Sequence, residues 1–133
     1  MEIVTRDSGI GSGSRWPVEL RVSKDRRTLT IAFEDGGSHA LPAEYLRVFS
    51  PSAEVQGHSE AERKVVPGKR DVAILGLEPV GNYAVRIVFD DRHSTGLYGW
   101  DLLDALGRER EERWAGYLAE LAERGMSRES PAR

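Results

Sequence analysis

The stretch Phe49-Ser50-Pro51-Ser52-Ala53-Glu54-Val55 has the spacing of a ligand-bearing loop, and His93 follows downstream behind Asp90 and Asp91. A histidine next to a carboxylate is the usual arrangement for tuning an imidazole as a general base. No convergent set of acid, base and nucleophile accompanies it, which argues against an enzyme. The simpler expectation is a turn histidine that hydrogen-bonds the Ser50 or Ser52 hydroxyl. Hydroxyls are neutral at pH 7 and poor zinc ligands, so the loop has metal-site spacing without metal-site chemistry.

Other polar groups offer weaker chemistry. His58, Glu60 and Glu62 could join His93 in an oxygen and nitrogen site for a divalent ion, but in an acidic chain they read better as a solvated loop. Arg63, Lys64, Lys69 and Arg70 form the densest basic cluster. Interleaved Glu60 and Glu62 dilute it and no aromatic residue sits within it, so it too reads as solvated rather than as a nucleic-acid site. Gly9, Gly11 and Gly13 follow no strand and precede no Gly-Lys-Ser/Thr, so they do not make a phosphate cradle.

The whole-chain properties agree. A chain of 133 residues fits one domain. A net charge of −3 gives no general affinity for phosphate backbones or anionic lipid. With no cysteine there is no disulfide framework and no thiolate metal site. No apolar run approaches the roughly 20 residues needed to span a bilayer, and no secretory signal is visible, so the expected setting is cytoplasmic, without membrane or nucleic-acid partners.

The elements that must position these residues follow from periodicity. Val18, Leu20 and Val22 alternate, as do Leu29, Ile31 and Phe33, and Asp35-Gly36-Gly37 turns the chain into a return strand through Leu41. Pro42 is expected at the first position of a short helix carrying Tyr45, Leu46 and Phe49, which stops before Pro51. Residues 56–70 read as a long loop. Val72, Ile74 and Leu77 resume strand character, a turn covers 79–82, and Tyr83, Val85, Ile87 and Phe89 are expected on one strand face. After Leu97 and Tyr98 a helix is expected near Asp101, its N-cap candidate. Gly107 is expected to divide it from a second helix supported by the Glu109–Arg113 and Glu120–Arg124 pairs. The fold class is thus α+β, an antiparallel meander of five to seven short strands in one sheet with one short helix and a C-terminal helix.

Three separated pieces carry a resemblance: Phe33-Glu34-Asp35-Gly36, then Leu41-Pro42-Ala43-Glu44-Tyr45-Leu46-Arg47 running into the serine loop, then Gly81-Asn82-Tyr83-Ala84-Val85-Arg86-Ile87 running into Asp91 to Trp100. In this order they resemble the gamma-butyrobetaine hydroxylase-like N-terminal domain, over about residues 16–107. The resemblance implies a module found alone, before a separate dioxygenase domain, or attached to ATPases of the iron-sulfur carrier type. It implies an accessory role without the dioxygenase chemistry. In its zinc-binding members a Cys-Pro-Cys-x-x-Cys loop and a later histidine hold the metal. Those positions here are Ser50, Ser52, Val55 and His93, and only the histidine is a zinc ligand, so no metal and no cofactor is expected.

On this reading residues 1–15 are a flexible tail, 16–107 the domain, 108–125 a C-terminal helical extension and 126–133 a frayed tail. The expected function is a non-catalytic accessory or interaction module. Its alternative is an accessory factor for iron-sulfur assembly or for a metal-dependent enzyme. Tyr98, Trp100, Trp114 and Tyr117 are the candidate interaction residues, for an unidentified protein partner or a homodimer. Val55, in place of a ligand, is expected to pack. Val55→Asp should therefore lower the melting temperature more than Ser52→Ala, whereas equal and small effects would mark the loop as exposed.

Overall fold

In the computed structural model, residues 2–4, 17–52 and 65–129 are described. The alternating segments form strands: β1 (Glu2–Val4), β2 (Pro17–Val22), β3 (Thr28–Phe33), β4 (Ser38–Pro42), β5 (Ile74–Val80), β6 (Ala84–Phe89) and β7 (Leu97–Gly99). They make two antiparallel sheets rather than the single meander expected, one of four strands in the order β1-β2-β3-β4 and one of three in the order β5-β6-β7. The division falls between β4 and β5, where helix α1 (Ala43–Val48) leads the chain away from the first sheet. The tail expected over residues 1–15 is corrected at its start, because Glu2, Ile3 and Val4 pair with Arg21, Leu20 and Glu19.

The period-2 pattern fixes the inner faces. Leu20, Leu29, Ile31 and Leu41 from one sheet and Ile74, Val85, Ile87 and Phe89 from the other are fully buried, and they meet in one core. Tyr83 departs from its expected face because it lies in the β5–β6 turn, where it is exposed. Pro79 lies within β5, tolerated because β5 is an edge strand whose missing N–H costs no ladder bond on the outer side.

Helix α2 (Trp100–Arg108) and helix α3 (Arg110–Glu123) close the core. The α2 N-cap is Gly99, without a side-chain cap, and Asp101 lies in the first turn, where its charge still suits the helix dipole. Pro42 likewise precedes α1 rather than opening it. The break between α2 and α3 falls at Glu109, not Gly107. Gly107 serves a close approach instead: a Cβ there would sit 2.2 Å from the His39 ring, and His39 Nε2 contacts Asp104 Oδ1 at 3.0 Å on the same helix.

The 108–125 stretch packs onto the core through Tyr117 and Leu121, which are buried in it. The supposed frayed tail is anchored as far as Glu129. Gly125 takes a φ of 67°, with Gly125 N–H donating to the Ala122 carbonyl and Met126 N–H to that of Leu121, the pattern of a Schellman cap. The chain then turns back, and the Ser127 and Arg128 carbonyls accept from Gly68 and Arg70 N–H.

Three buried tyrosines tie these layers together. Tyr45 donates to the Leu106 carbonyl at 2.6 Å, Tyr98 to Leu46 at 2.6 Å and Tyr117 to Val66 at 2.7 Å. Leu46 and Leu106 lie in last helical turns, whose carbonyls lack an intrahelical partner. Burial pushes the Tyr45 and Tyr117 hydroxyls up to about 12 and Tyr98 higher still, so all three remain donors. Gly107→Ala should lower stability by about 1–3 kcal/mol through overpacking against His39, although alanine is the better helix former. Urea midpoints check this, and a stabilised variant would contradict it.

Candidate functional site

The end of α1 and the β6–β7 connection bring the serine loop and the histidine together. Ser50 Oγ lies 2.8 Å from His93 Nε2. Ser50 is wholly buried, and Ser52 and His93 are 5% and 6% exposed. Thr95 donates from Oγ1 to Ser52 Oγ at 2.9 Å, and the Ser52 N–H reaches Ser50 Oγ at 3.3 Å. The hydroxyl–imidazole contact expected from the sequence is therefore present. Gly96 makes it possible: a Cβ at that position would come within 2.5 Å of Ser50 Oγ and 3.1 Å of Pro51.

Beside this cluster Asp91 gathers two cations, Arg47 Nε at 2.8 Å and Lys69 Nζ at 2.6 Å, and its Oδ1 accepts from the His93 backbone N–H at 3.1 Å. Burial pushes the Asp91 carboxyl up. The Lys69 ammonium, the His93 N–H and Arg47 outweigh burial and hold the group at about 2. Arg47 Nη1 is buried without a hydrogen-bond partner. Sequence reasoning missed Arg47 as a site residue and treated Lys69 as solvated. The missing signal was distance: α1, the 65–73 segment and the β6–β7 turn are remote in sequence.

The cluster has the composition of a Ser-His-Asp constellation but not its geometry. Asp91 bonds the main chain of His93, whereas an orienting carboxylate holds the ring Nδ1. It does not fit zinc either. The imidazole nitrogen nearest the loop hydrogen-bonds a neutral hydroxyl at 2.8 Å, closer than the roughly 3.3 Å that separates two ligands of a tetrahedral zinc with bonds of about 2.0–2.1 Å. Among the described residues no three His, Cys, Asp or Glu side chains cluster as metal ligands. Val55, His58, Glu60, Glu62, Arg63 and Lys64 lie outside the described residues.

The four aromatic candidates separate. Tyr98 is fully buried, and Trp100 is nearly so with its Nε1 donating to the Asn82 carbonyl at 2.9 Å, so neither presents a surface to a partner. Tyr117 is also buried. Trp114 is half-buried, edge-on to Tyr45 and tilted against Tyr117 at 5.1 Å. It borders a groove of about 590 Å³ between α1 and α3, with Leu118 39% exposed on the same wall. Arg70, expected to be solvated, pairs with Glu129 across the surface.

The drop of the Asp91 carboxyl from 3.8 to about 2 corresponds to about 2 kcal/mol. Because the folded value lies below the unfolded one, that contribution is complete above the unfolded value and is lost as pH falls through about 2. Asp91→Asn should therefore cost about 2 kcal/mol at pH 7 and nearly nothing at the acid end of a series of urea melts. A cost independent of pH would contradict this.

Comparison with known proteins agrees with this architecture. A solution structure determined by NMR is 45% identical, covers 91% of this chain and 95% of its own, and superposes with a TM-score of 0.78. A second is 40% identical over 95% of this chain and 94% of its own, with a TM-score of 0.77. A crystal structure of a protein of unknown function from Acidithiobacillus ferrooxidans, of the DUF971 family, is 34% identical over 68% of this chain and 91% of its own, with a TM-score of 0.58. Among curated proteins no relative is found. The model of the family described as gamma-butyrobetaine hydroxylase-like, N-terminal, matches residues 20–104. With that match over most of its length, the chain belongs to the gamma-butyrobetaine hydroxylase-like N-terminal family.

Proposed function

We propose that this chain is a non-catalytic accessory module that works by contact with another protein. The observation that carries the reading is the complete burial of Ser50. A nucleophile must reach its substrate, and the Ser50 hydroxyl in contact with the His93 imidazole is shut off from solvent. The polar cluster then acts as a structural joint. The features left for function are on the surface: Leu118 is exposed beside half-buried Trp114, and aromatic anchors with aliphatic neighbours are typical of contact sites. No described helix is long and apolar enough to cross a membrane.

Cross-linking in the native cell with wild type, Leu118→Glu and Ser50→Ala tests the reading. A stoichiometric partner should be recovered by wild type and by Ser50→Ala, and lost by Leu118→Glu, which leaves the melting temperature unchanged. Ser50→Ala should cost about 1–3 kcal/mol of stability, since His93 loses its partner. Recovery alike by all three, or a substrate turnover abolished by Ser50→Ala, would overturn it.

A further inference from the structure

Glu44 is an unusual residue to find inside this fold. It sits in the first turn of α1, 6% exposed, and a buried carboxylate is costly unless paired and hydrogen-bonded. Its partner comes from the far end of the chain. Arg128 donates from Nε to Glu44 Oε2 at 2.8 Å and from Nη2 to Oε1 at 2.7 Å, the parallel two-bond fork that suits a guanidinium and a carboxylate. The guanidinium carbon also stands 5.2 Å from the Trp114 ring centroid, within cation–π range. A carboxylate below and an indole alongside make a receptor for a planar cation.

The cation stands outside the helices that carry its receptor. Glu44 and Trp114 belong to helices packed into the core, whereas Arg128 follows the last helix. Its segment is fastened by main-chain bonds to Gly68 and Arg70 and by the exposed Arg70–Glu129 pair. Segments held by few bonds near solvent open at lower cost than packed helices. Beside Arg128 the groove lined by Pro42, Tyr45, Trp114 and Leu118, with Arg110 and Glu111 adding one charge of each sign, has about 590 Å³ of open space, enough for residues flanking an incoming side chain.

We propose that Glu44 and Trp114 form a guanidinium site, occupied in cis by Arg128 and open in trans to an arginine of a partner peptide laid along the α1–α3 groove. The exchange replaces one cation by another, so Glu44 is never left buried and unpaired. A lysine is a poorer occupant, because a compact ammonium cannot make the fork to both carboxylate oxygens. This deepens the interaction reading by giving the partner's chemistry, and it rests on that reading only for the trans ligand.

The full-length Arg128→Ala protein, titrated with ethylguanidinium, ethylammonium and N-acetyl-arginine amide, tests the site with no partner present. Melting temperature and the Trp114 indole resonance are the readouts. Arg128→Ala should melt lower than wild type. Ethylguanidinium should restore the melting temperature saturably and shift the indole, with ethylammonium weaker by more than about tenfold. Glu44→Gln/Arg128→Ala should respond to neither. N-acetyl-arginine amide should bind Arg128→Ala more tightly than wild type, where Arg128 competes. If Arg128→Ala does not fold, Arg128→Lys keeps the charge and carries the same titrations. No saturable response, equal response to both cations, a response that survives Glu44→Gln, or equal binding to wild type would overturn the proposal. A module with no guanidinium site would fail here yet still lose its partner on Leu118→Glu, so the two readings fail separately.

Discussion

A serine hydroxyl and an imidazole 2.8 Å apart, sealed from solvent, close the joint on which this domain depends. The joint connects the end of α1, which follows the first sheet, to the β6–β7 connection of the second. Two further links run between the same segments, Thr95 to Ser52 and Arg47 to Asp91, and a third joins β7 to α1, from the Tyr98 hydroxyl to the Leu46 carbonyl. Each hydrogen bond contributes about 1 kcal/mol net, but stranding one buried partner costs about 1–3 kcal/mol, so the set acts together. Gly96 admits the approach, and no larger residue could occupy its place without moving Ser50 or Pro51.

The joint explains how the loop keeps metal-site spacing without metal-site chemistry. In zinc-binding members of the family, a thiolate-rich loop and a histidine would be joined by an ion. Here Ser50, Ser52 and His93 meet directly, with Thr95 joining the set. Hydrogen bonds fasten this place, with the Asp91 ion-pair cluster next to them fixing the backbone of His93. The two halves of the molecule then differ in character. One is a polar joint whose described serines and histidine are buried, and the other is a groove along α3 where aromatic and charged groups meet solvent.

Local pattern was a good guide wherever a structural choice was local. Alternation in Leu29, Ile31 and Phe33 and in Val85, Ile87 and Phe89 marked inner faces correctly, because period 2 reports burial directly. The partnership of Ser50 with His93 was also legible, through the family's ligand positions. Sheet number was not, since nothing in β4 or β5 records that their edges do not pair. Gly107 read as a helix break because its reason, contact with His39, is tertiary. Arg128 read as tail for the same reason: its partner Glu44 lies far away in sequence, and a glutamate in a short helix looks like a solvated one.

Hydrogen bonds among Ser50, Ser52, Thr95 and His93 hold the α1 end to the β6–β7 connection. The most direct measurement is a thermal melt of purified protein before and after exhaustive chelation, with elemental analysis of the same sample. Superimposable melts with no stoichiometric transition metal are predicted. Stoichiometric zinc together with a melting temperature that falls on chelation would contradict the account.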